Sequence, residues 1–388
     1  MKPCQLTVPG HVRAGENVIE QLSGIIEAER ASKVIVFTDE GVLSTGICNG
    51  VFEQIKKANA EYCVIGDLRP EPSTQDVIRT MEQMNRAEGE LVVAVGGGSV
   101  MDMAKLCAAM KGASYDIYDL LENNSLMEKG LPAVMIPTTC GTGSEATFNA
   151  IVAVPEKSVK TGIVNKNMLA DYVLLDGNMI AKLPPKIIAS SGVDALAHVI
   201  ECFTSNKANV FSDLYAAAGA KLIFENLVRA YSDANDLQAK SNMLLAAFYG
   251  GVAIAASGTT AVHALAYPLG GKYHIAHGVS NAILLAPVMR ANLEACEDRL
   301  ALLEDGINPA GYGRAQSEKA KGMIERIASI VSDTGIPSSL CEFGIGLEDL
   351  DFLVDAAADC KRLLDNNRRV LTKNDIRAIY QEVIKGGI

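Results

Sequence analysis

The chain has 388 residues, more than a single hydrophobic core ordinarily serves, so two domains are expected. Its 49% hydrophobic and 21% charged residues are an ordinary globular composition, and a net charge of −11 argues against a broad basic surface for nucleic acid. Nine cysteines at irregular spacing, with no Cys-x-x-Cys, read as reduced buried thiols rather than a disulfide framework or a zinc-thiolate site.

The opening stretch Met1-Lys2-Pro3-Cys4-Gln5-Leu6-Thr7-Val8 lacks the apolar core and small-residue cleavage site of a secretory leader. No run of about 18 apolar residues follows it, so a cytoplasmic protein without a membrane partner is expected. His11 falls in an N-terminal turn and receives no function. Further on, Lys33-Val34-Ile35-Val36-Phe37-Thr38, Leu91-Val92-Val93-Ala94-Val95 and Ala133-Val134-Met135-Ile136-Pro137 read as strands buried on both faces, the mark of a parallel sheet. Helical patterns at 75–86 and 100–111 lie between them, which predicts an α/β, βαβ-type domain with helices on both faces. After Leu183-Pro184-Pro185 the texture changes, and the double proline marks a boundary, because a residue before proline is pushed out of the helical region. Beyond it, 212–231, 236–256, 278–294, 316–334 and 347–363 read as helices, with no convincing strand. The expected domains are therefore an α/β one over 1–183 and an all-α one over 184–388.

Two glycine-rich turns follow strands of the α/β part. Gly96-Gly97-Gly98-Ser99 leads into a helix carrying Asp102 and Lys105, so backbone amides and a helix N-terminus offer a cradle for a phosphate. Pro137-Thr138-Thr139-Cys140-Gly141-Thr142-Gly143-Ser144-Glu145 adds hydroxyls after the next strand, and Cys140 within it reads as a packing residue. Neither turn is a Gly-x-Gly-x-x-Gly fingerprint or a P-loop, and a tight turn without a ligand is the plain alternative. Asp39, just past strand 33–38, is placed for a ribose diol and would repel a 2′-phosphate, favouring NAD over NADP; a helix N-cap is its alternative role.

In the helical part, Asp194 and His198 stand four residues apart, and His263 and His277 follow, so three of only five histidines join one carboxylate. Residues i and i+4 share a helix face, so this set makes a plausible cage for a divalent cation. A surface pair is the alternative for Asp194 and His198, but their neighbours Ser191-Gly192-Val193 and Ala195-Leu196-Ala197 are small or apolar, and a carboxylate buried there needs a partner or an ion.

With these motifs in hand, the chain resembles the iron-dependent (group III) alcohol dehydrogenases, the group that includes lactaldehyde reductase and 1,3-propanediol dehydrogenase. The resemblance spans nearly the whole chain. It rests on Gly96-Gly97-Gly98-Ser99 with Asp102 and Lys105, Thr138-Thr139 with Gly141-Thr142-Gly143-Ser144-Glu145, Gly192-Val193-Asp194-Ala195 with His198 and Glu201, and His277-Gly278. It implies a Rossmann-like dinucleotide-binding domain joined to an all-α metal-binding domain, in a dehydroquinate synthase-like architecture. It implies Asp194, His198, His263 and His277 as metal ligands, and Asp39, Gly97, Gly98, Ser99, Thr138, Thr139 and Lys160 as dinucleotide contacts. Lys160 comes from the family's Lys-x-Gly-Ile element, here Lys160-Thr161-Gly162-Ile163. The implied cofactors are NAD and Fe2+, with Zn2+ or another divalent ion as alternatives. The implied reaction moves a hydride between NAD(H) and a small primary alcohol or aldehyde, hydroxylated and anionic ones included, in a homodimer or higher homo-oligomer.

One departure stands out. Many relatives carry a second histidine four residues after the third ligand, where this chain has Tyr267, expected on the face of His263. Tyr267 either packs or gives its phenol to substrate or water, and nearby His274 is a candidate replacement base. Lys272, Arg362 and Arg368 are candidates for recognising an acid group, against the plainer reading as solvated surface. Three other functions use parts of the same pattern: a metal-dependent hydrolase, which leaves the glycine turns and Asp39 unexplained; a dehydroquinate-synthase-like lyase, which restores its nucleotide each cycle; and a scaffold subunit without turnover.

Overall fold

The computed structural model describes residues 3–157 and 159–386. The chain divides into two compact units, one of Thr7–Leu183 and one of Pro184–Ile388 together with Met1–Leu6. The first is a parallel sheet flanked by helices, and the second is all-helical among its described residues.

The sheet has six strands: β1 (His11–Ala14), β2 (Lys33–Phe37), β3 (Glu61–Ile65), β4 (Leu91–Gly96), β5 (Ala133–Pro137) and β8 (Tyr172–Leu175), in the order β1-β8-β5-β4-β2-β3. Every neighbouring pair is parallel. Its middle strands are apolar throughout because both faces are covered: β4 and β5 are buried at every position. Val34, Val36, Val93, Val95 and Ile136 pack with Leu22, Ile25, Ile26, Val51 and Ile55 into one core. The strands that the sequence pattern does not reveal are short or lie at the edges. β1 and β8 have four residues each, and edge strand β3 is mostly half-buried or exposed. His11 is thus not in a turn; it opens β1 and stacks on Tyr172 with ring centroids 5.1 Å apart. β6 (Asn149–Val154) and β7 (Val159–Val164) form a separate antiparallel pair.

The strand order positions a site. From β2 the chain goes outward to β3 and returns to β4 on the other side of β2, so the carboxyl ends of β2 and β4 flank a topological switch point. Asp39 follows the first of these ends and Gly97 the second.

In the helical unit, helices Pro185–Thr204, Val210–Ser232, Leu237–Ser257, Ala261–Tyr273, His277–Ile307 and Gln316–Asp333 are followed by Leu350–Ala358, Lys361–Leu364 and Lys373–Ile384. Pro184 stands at the N-cap of the first helix and Pro185 begins it, where a missing N–H costs nothing. That helix is long and apolar enough by length and composition to cross a membrane, but nearly all of it after Ile187 is buried within the unit as a core helix. Lys186, Asp194 and Glu201 interrupt its apolar residues, so it contains no unbroken apolar run of about 18.

Two helices differ from their sequence pattern. Helix His277–Ile307 continues past 294, with Asn292, Cys296, Leu300 and Leu303 extending its buried stripe; the polar and small residues in that stripe hid its period. The 347–363 stretch breaks at Asp359 and Cys360 into two short helices. Helices Ala261–Tyr273 and Lys373–Ile384 went unread as elements, the first because Pro268 and two glycines lie inside it.

Candidate metal centre and nucleotide cradle

Asp194 and His198 project from the same face of helix Pro185–Thr204, His263 lies in the first turn of helix Ala261–Tyr273, and His277 begins helix His277–Ile307. Gly278 explains how the third helix comes so close. A Cβ at that position would lie 2.1 Å from the Ser190 carbonyl oxygen and 3.4 Å from the Asp194 Cβ, so only glycine lets His277 reach the carboxylate. Asp194 Oδ1 is 3.9 Å from His198 Nε2, 4.0 Å from His263 Nε2 and 3.7 Å from His277 Nε2. The imidazoles of His198 and His263 stack with centroids 4.7 Å apart, and those of His263 and His277 meet edge-on at 5.2 Å. Donor atoms of Asp194, His263 and His277 all lie within 4.8 Å of one another. Ligands about 2.1 Å from a tetrahedral ion stand roughly 3.4 Å apart, so a cation bound here would draw these donors closer together than they stand. Carboxylate and imidazole are also the donors that divalent first-row metals take.

Two buried neighbours orient these groups. Glu201, three residues after His198 on the same helix, binds the Nδ1 of His263 through Oε2 and leaves Nε2 facing Asp194. Asn281, one turn after His277 and fully buried, donates from Nδ2 to Asp194 Oδ1 at 2.7 Å. The same nitrogen lies 3.3 Å from His263 Nε2 and 3.2 Å from His277 Nε2. Burial works to raise the Asp194 carboxyl, but the three imidazoles and the Asn281 amide outweigh it and hold the group below the usual carboxylate range. The same balance holds for Glu201, where His263, Thr260 and the Val262 amide overcome burial. Burial opposes charge on His263, and the two carboxylates overcome it and raise its affinity for a proton.

Neither Glu201 nor Asn281 was assigned a role from sequence, although the pattern carries a trace of both. Glu201 completes an i, i+4, i+7 row with Asp194 and His198, and Asn281 stands four residues after His277.

Tyr267 lies one turn along from His263, with its ring centroid 6.3 Å from that of His277. Burial raises its phenol above the ordinary value. His274 is exposed at the C-cap of the same helix, in a left-handed conformation with φ 55°, and does not join the cluster. Of the basic candidates, Arg368 pairs with Asp298 at 2.6 Å, Lys272 with Asp349 at 3.6 Å, and Arg362 is exposed.

In the α/β unit the two glycine turns lie side by side because their strands are neighbours. Gly96 pairs with Pro137, and the Thr138 amide donates to the Gly96 carbonyl. Gly97 caps helix Gly98–Met110 with no side chain of its own, leaving first-turn amides for an anion. A Cβ on Gly98 would meet the Thr142 methyl at 2.7 Å, and one on Gly97 would meet the Thr139 side chain at 3.4 Å. Asp102 and Lys105 shape this region from beneath. Buried Lys105 donates to the carbonyls of Ser144 and Asn149, both at 2.8 Å, and pairs with Asp102, which accepts from the Ile151 amide. Asp39 is the N-cap of helix Glu40–Ser44, its Oδ1 accepting from the Val42 amide at 2.9 Å. Capping therefore engages Oδ1. Lys160 pairs with Glu71 at 2.6 Å, and the Glu71 amide donates to Ser99 Oγ, so Lys160 and Ser99 belong to one cluster. Cys140 is fully buried, in keeping with a packing role.

A parallel α/β unit with a phosphate-type cradle at its switch point, and a helical unit with a carboxylate-imidazole cage, define a nucleotide- and metal-dependent oxidoreductase class. Residues 9–177 match the family described as "Iron-containing alcohol dehydrogenase", and residues 188–384 match "Fe-containing alcohol dehydrogenase family, C-terminal". The chain is 33% identical to "Long-chain-alcohol dehydrogenase 1" of Geobacillus thermodenitrificans (strain NG80-2), over 100% of this chain and 98% of that one. Among solved structures, a 1,3-propanediol oxidoreductase superposes with a TM-score of 0.94 at 28% identity, covering 98% of this chain and all of the other. Sulfoacetaldehyde reductase from Bifidobacterium kashiwanohense, in complex with NAD+, superposes with a TM-score of 0.90 at 26% identity, covering 99% of each chain. This chain belongs to the iron-containing alcohol dehydrogenase family.

Proposed function

We propose that the protein is an NAD(H)-dependent alcohol dehydrogenase, working in reverse as an aldehyde reductase, on small primary alcohols and aldehydes, with Fe2+ as the resident ion. The observation that carries this reading is the approach of three imidazole Nε2 atoms to 3.7–4.0 Å from one carboxylate oxygen, Asp194 Oδ1. Asp194, His198, His263 and His277 would hold the ion, which when bound supplies Lewis acidity toward an alcohol or carbonyl group. The nicotinamide of NAD(H) supplies the hydride acceptor or donor.

The rest is the work of the chain's own side chains and backbone. Asp194 brings one negative charge to the cage and His263 is oriented from behind by Glu201. The Gly97, Gly98 and Ser99 amides receive the pyrophosphate, Thr138 and Thr139 line the adjoining turn, and Lys160 adds a positive charge beside Ser99. Asp39, with Oδ1 occupied in capping, offers Oδ2 to a ribose diol and disfavours a 2′-phosphate. Four protein ligands leave further coordination to substrate more readily on Fe2+ than on Zn2+, which supports iron as the resident ion. Tyr267 packs beside His277 and His274 stays at the margin. A cytoplasmic homo-oligomer, with no nucleic-acid or membrane partner, completes the reading.

Screening C2–C6 aldehydes with NADH after Fe2+ reconstitution tests it. Net NADH oxidation with alcohol formation is expected. Binding of NADH without net oxidation by any aldehyde would favour a lyase, and no perturbation of NADH fluorescence at all would favour a hydrolase.

A further inference from the structure

Helix Ala261–Tyr273 begins without a cap of its own. Thr260, at its N-cap position, makes no side-chain hydrogen bond to the first turn, although the turn is buried and its amides need acceptors. The acceptor comes instead from a residue about sixty positions earlier. Glu201 Oε1 accepts from the Thr260 amide at 3.1 Å, the Thr260 hydroxyl at 2.7 Å, the Val262 amide at 2.7 Å and the His263 amide at 3.4 Å. Its other oxygen, Oε2, engages His263 Nδ1. Glu201 is fully buried, and its carboxylate charge sits at the positive end of the helix. One carboxylate thus meets five donors that belong to two different tasks: starting a helix and aiming an imidazole.

We propose that Glu201 is a positioning residue that couples the order of this helix to cation binding at His263, an inference that rests on the metal reading above. If the helix start frays, the ring of His263 loses its fixed direction. When a cation takes His263 Nε2, the Glu201 carboxylate is held more firmly and the first turn tightens. Tyr267 rides on the same helix, so the coupling also sets where its ring stands beside His277.

Glu201→Gln keeps the size of the side chain but brings an N–H group into a ring of donors. Its Zn2+ affinity, measured by chelator competition, is expected to fall about 10- to 100-fold, with a changed visible spectrum for bound Co2+. In the wild-type protein Zn2+ should slow hydrogen exchange across 260–266, and in Glu201→Gln that slowing should disappear. Thr260→Val, which removes only the hydroxyl contact, should change Zn2+ affinity less than threefold. A Glu201→Gln protein that melts earlier but binds Zn2+ within twofold of wild type, with the exchange response kept, would reduce Glu201 to a cap and overturn the proposal. Should that variant fail to fold, the wild-type protein decides: Zn2+ binding with no change in exchange over 260–266 overturns the coupling, and slowed exchange there supports it. Failure of the wild type to bind Zn2+ or Fe2+ at all would instead end the metal reading, and this proposal with it.

Discussion

The two units build their candidate sites from different material. In Thr7–Leu183 the cradle is mostly backbone: glycines at the ends of β4 and β5 expose amides, and buried Lys105 and Asp102 hold the turns in shape from below. In the helical unit the site is all side chain, with donors from three helices and two orienting neighbours. Their buried carboxylates show the same contrast. Asp194 and Glu201 are surrounded by imidazoles and N–H donors and stay below the ordinary carboxylate range despite burial. Glu145, at the end of the second glycine turn, is equally buried, has an Oε1 with no hydrogen-bond partner, and is pushed by burial up to about 7, with only partial relief from a backbone hydrogen bond and from Lys105. Burial alone therefore does not set the charge of a carboxyl; the donors aimed at it do.

The largest expected effect separates the units outright. His263→Ala should lower kcat/KM by more than about 1000-fold, roughly 4 kcal/mol, while NADH affinity by fluorescence titration stays within about twofold. Activity surviving that change would break the division of labour.

Glu145 tests the electrostatic half of the contrast through stability. A carboxyl raised to about 7 when folded contributes stability that is complete below its unfolded value near 4.5 and is lost as pH climbs through 7. Glu145→Gln should therefore gain on the wild type as pH rises from about 4.5 to above 7, by up to about 3 kcal/mol in denaturant unfolding. A gap independent of pH would mean that Glu145 finds a partner when ionised.

Gly98→Val probes the backbone cradle. The added side chain must displace Thr142, so NADH should bind about tenfold or more weakly, near 1.4 kcal/mol, with bound metal per chain unchanged. The smallest effect belongs to Tyr267→Phe. Its hydroxyl makes no hydrogen bond to the described residues, so kcat/KM should change no more than about twofold, roughly 0.4 kcal/mol. A larger loss would give the phenol a part beside the metal centre.

Legibility in sequence followed the same divide. Asp194 and His198 could be paired from their spacing because a helix repeats every 3.6 residues, and histidines are few enough that His263 and His277 stood out. The glycine turns showed through their residue type alone. What stayed hidden depended on long-range packing. Edge strands β1 and β3 are half exposed and lack a clear period, and the start of helix Ala261–Tyr273 is stabilised by a carboxylate from another helix, which no local signal marks. Glu201 and Asn281 lay on readable helix faces, yet nothing in a one-dimensional pattern says that those faces converge.

By itself the amino-acid order determined the α/β-then-helical architecture, the buried central strands, the two phosphate-type turns and the residue types that suit a divalent ion, since each follows from local periodicity or from what glycine, carboxylate and imidazole can do. Only the tertiary structure decided that Asp194 meets three imidazoles, that Gly278 makes room for the third, and that Glu201 serves both a helix end and a histidine. Those facts depend on side chains far apart in the chain being packed against one another, where a buried polar or charged group is costly unless a partner meets it.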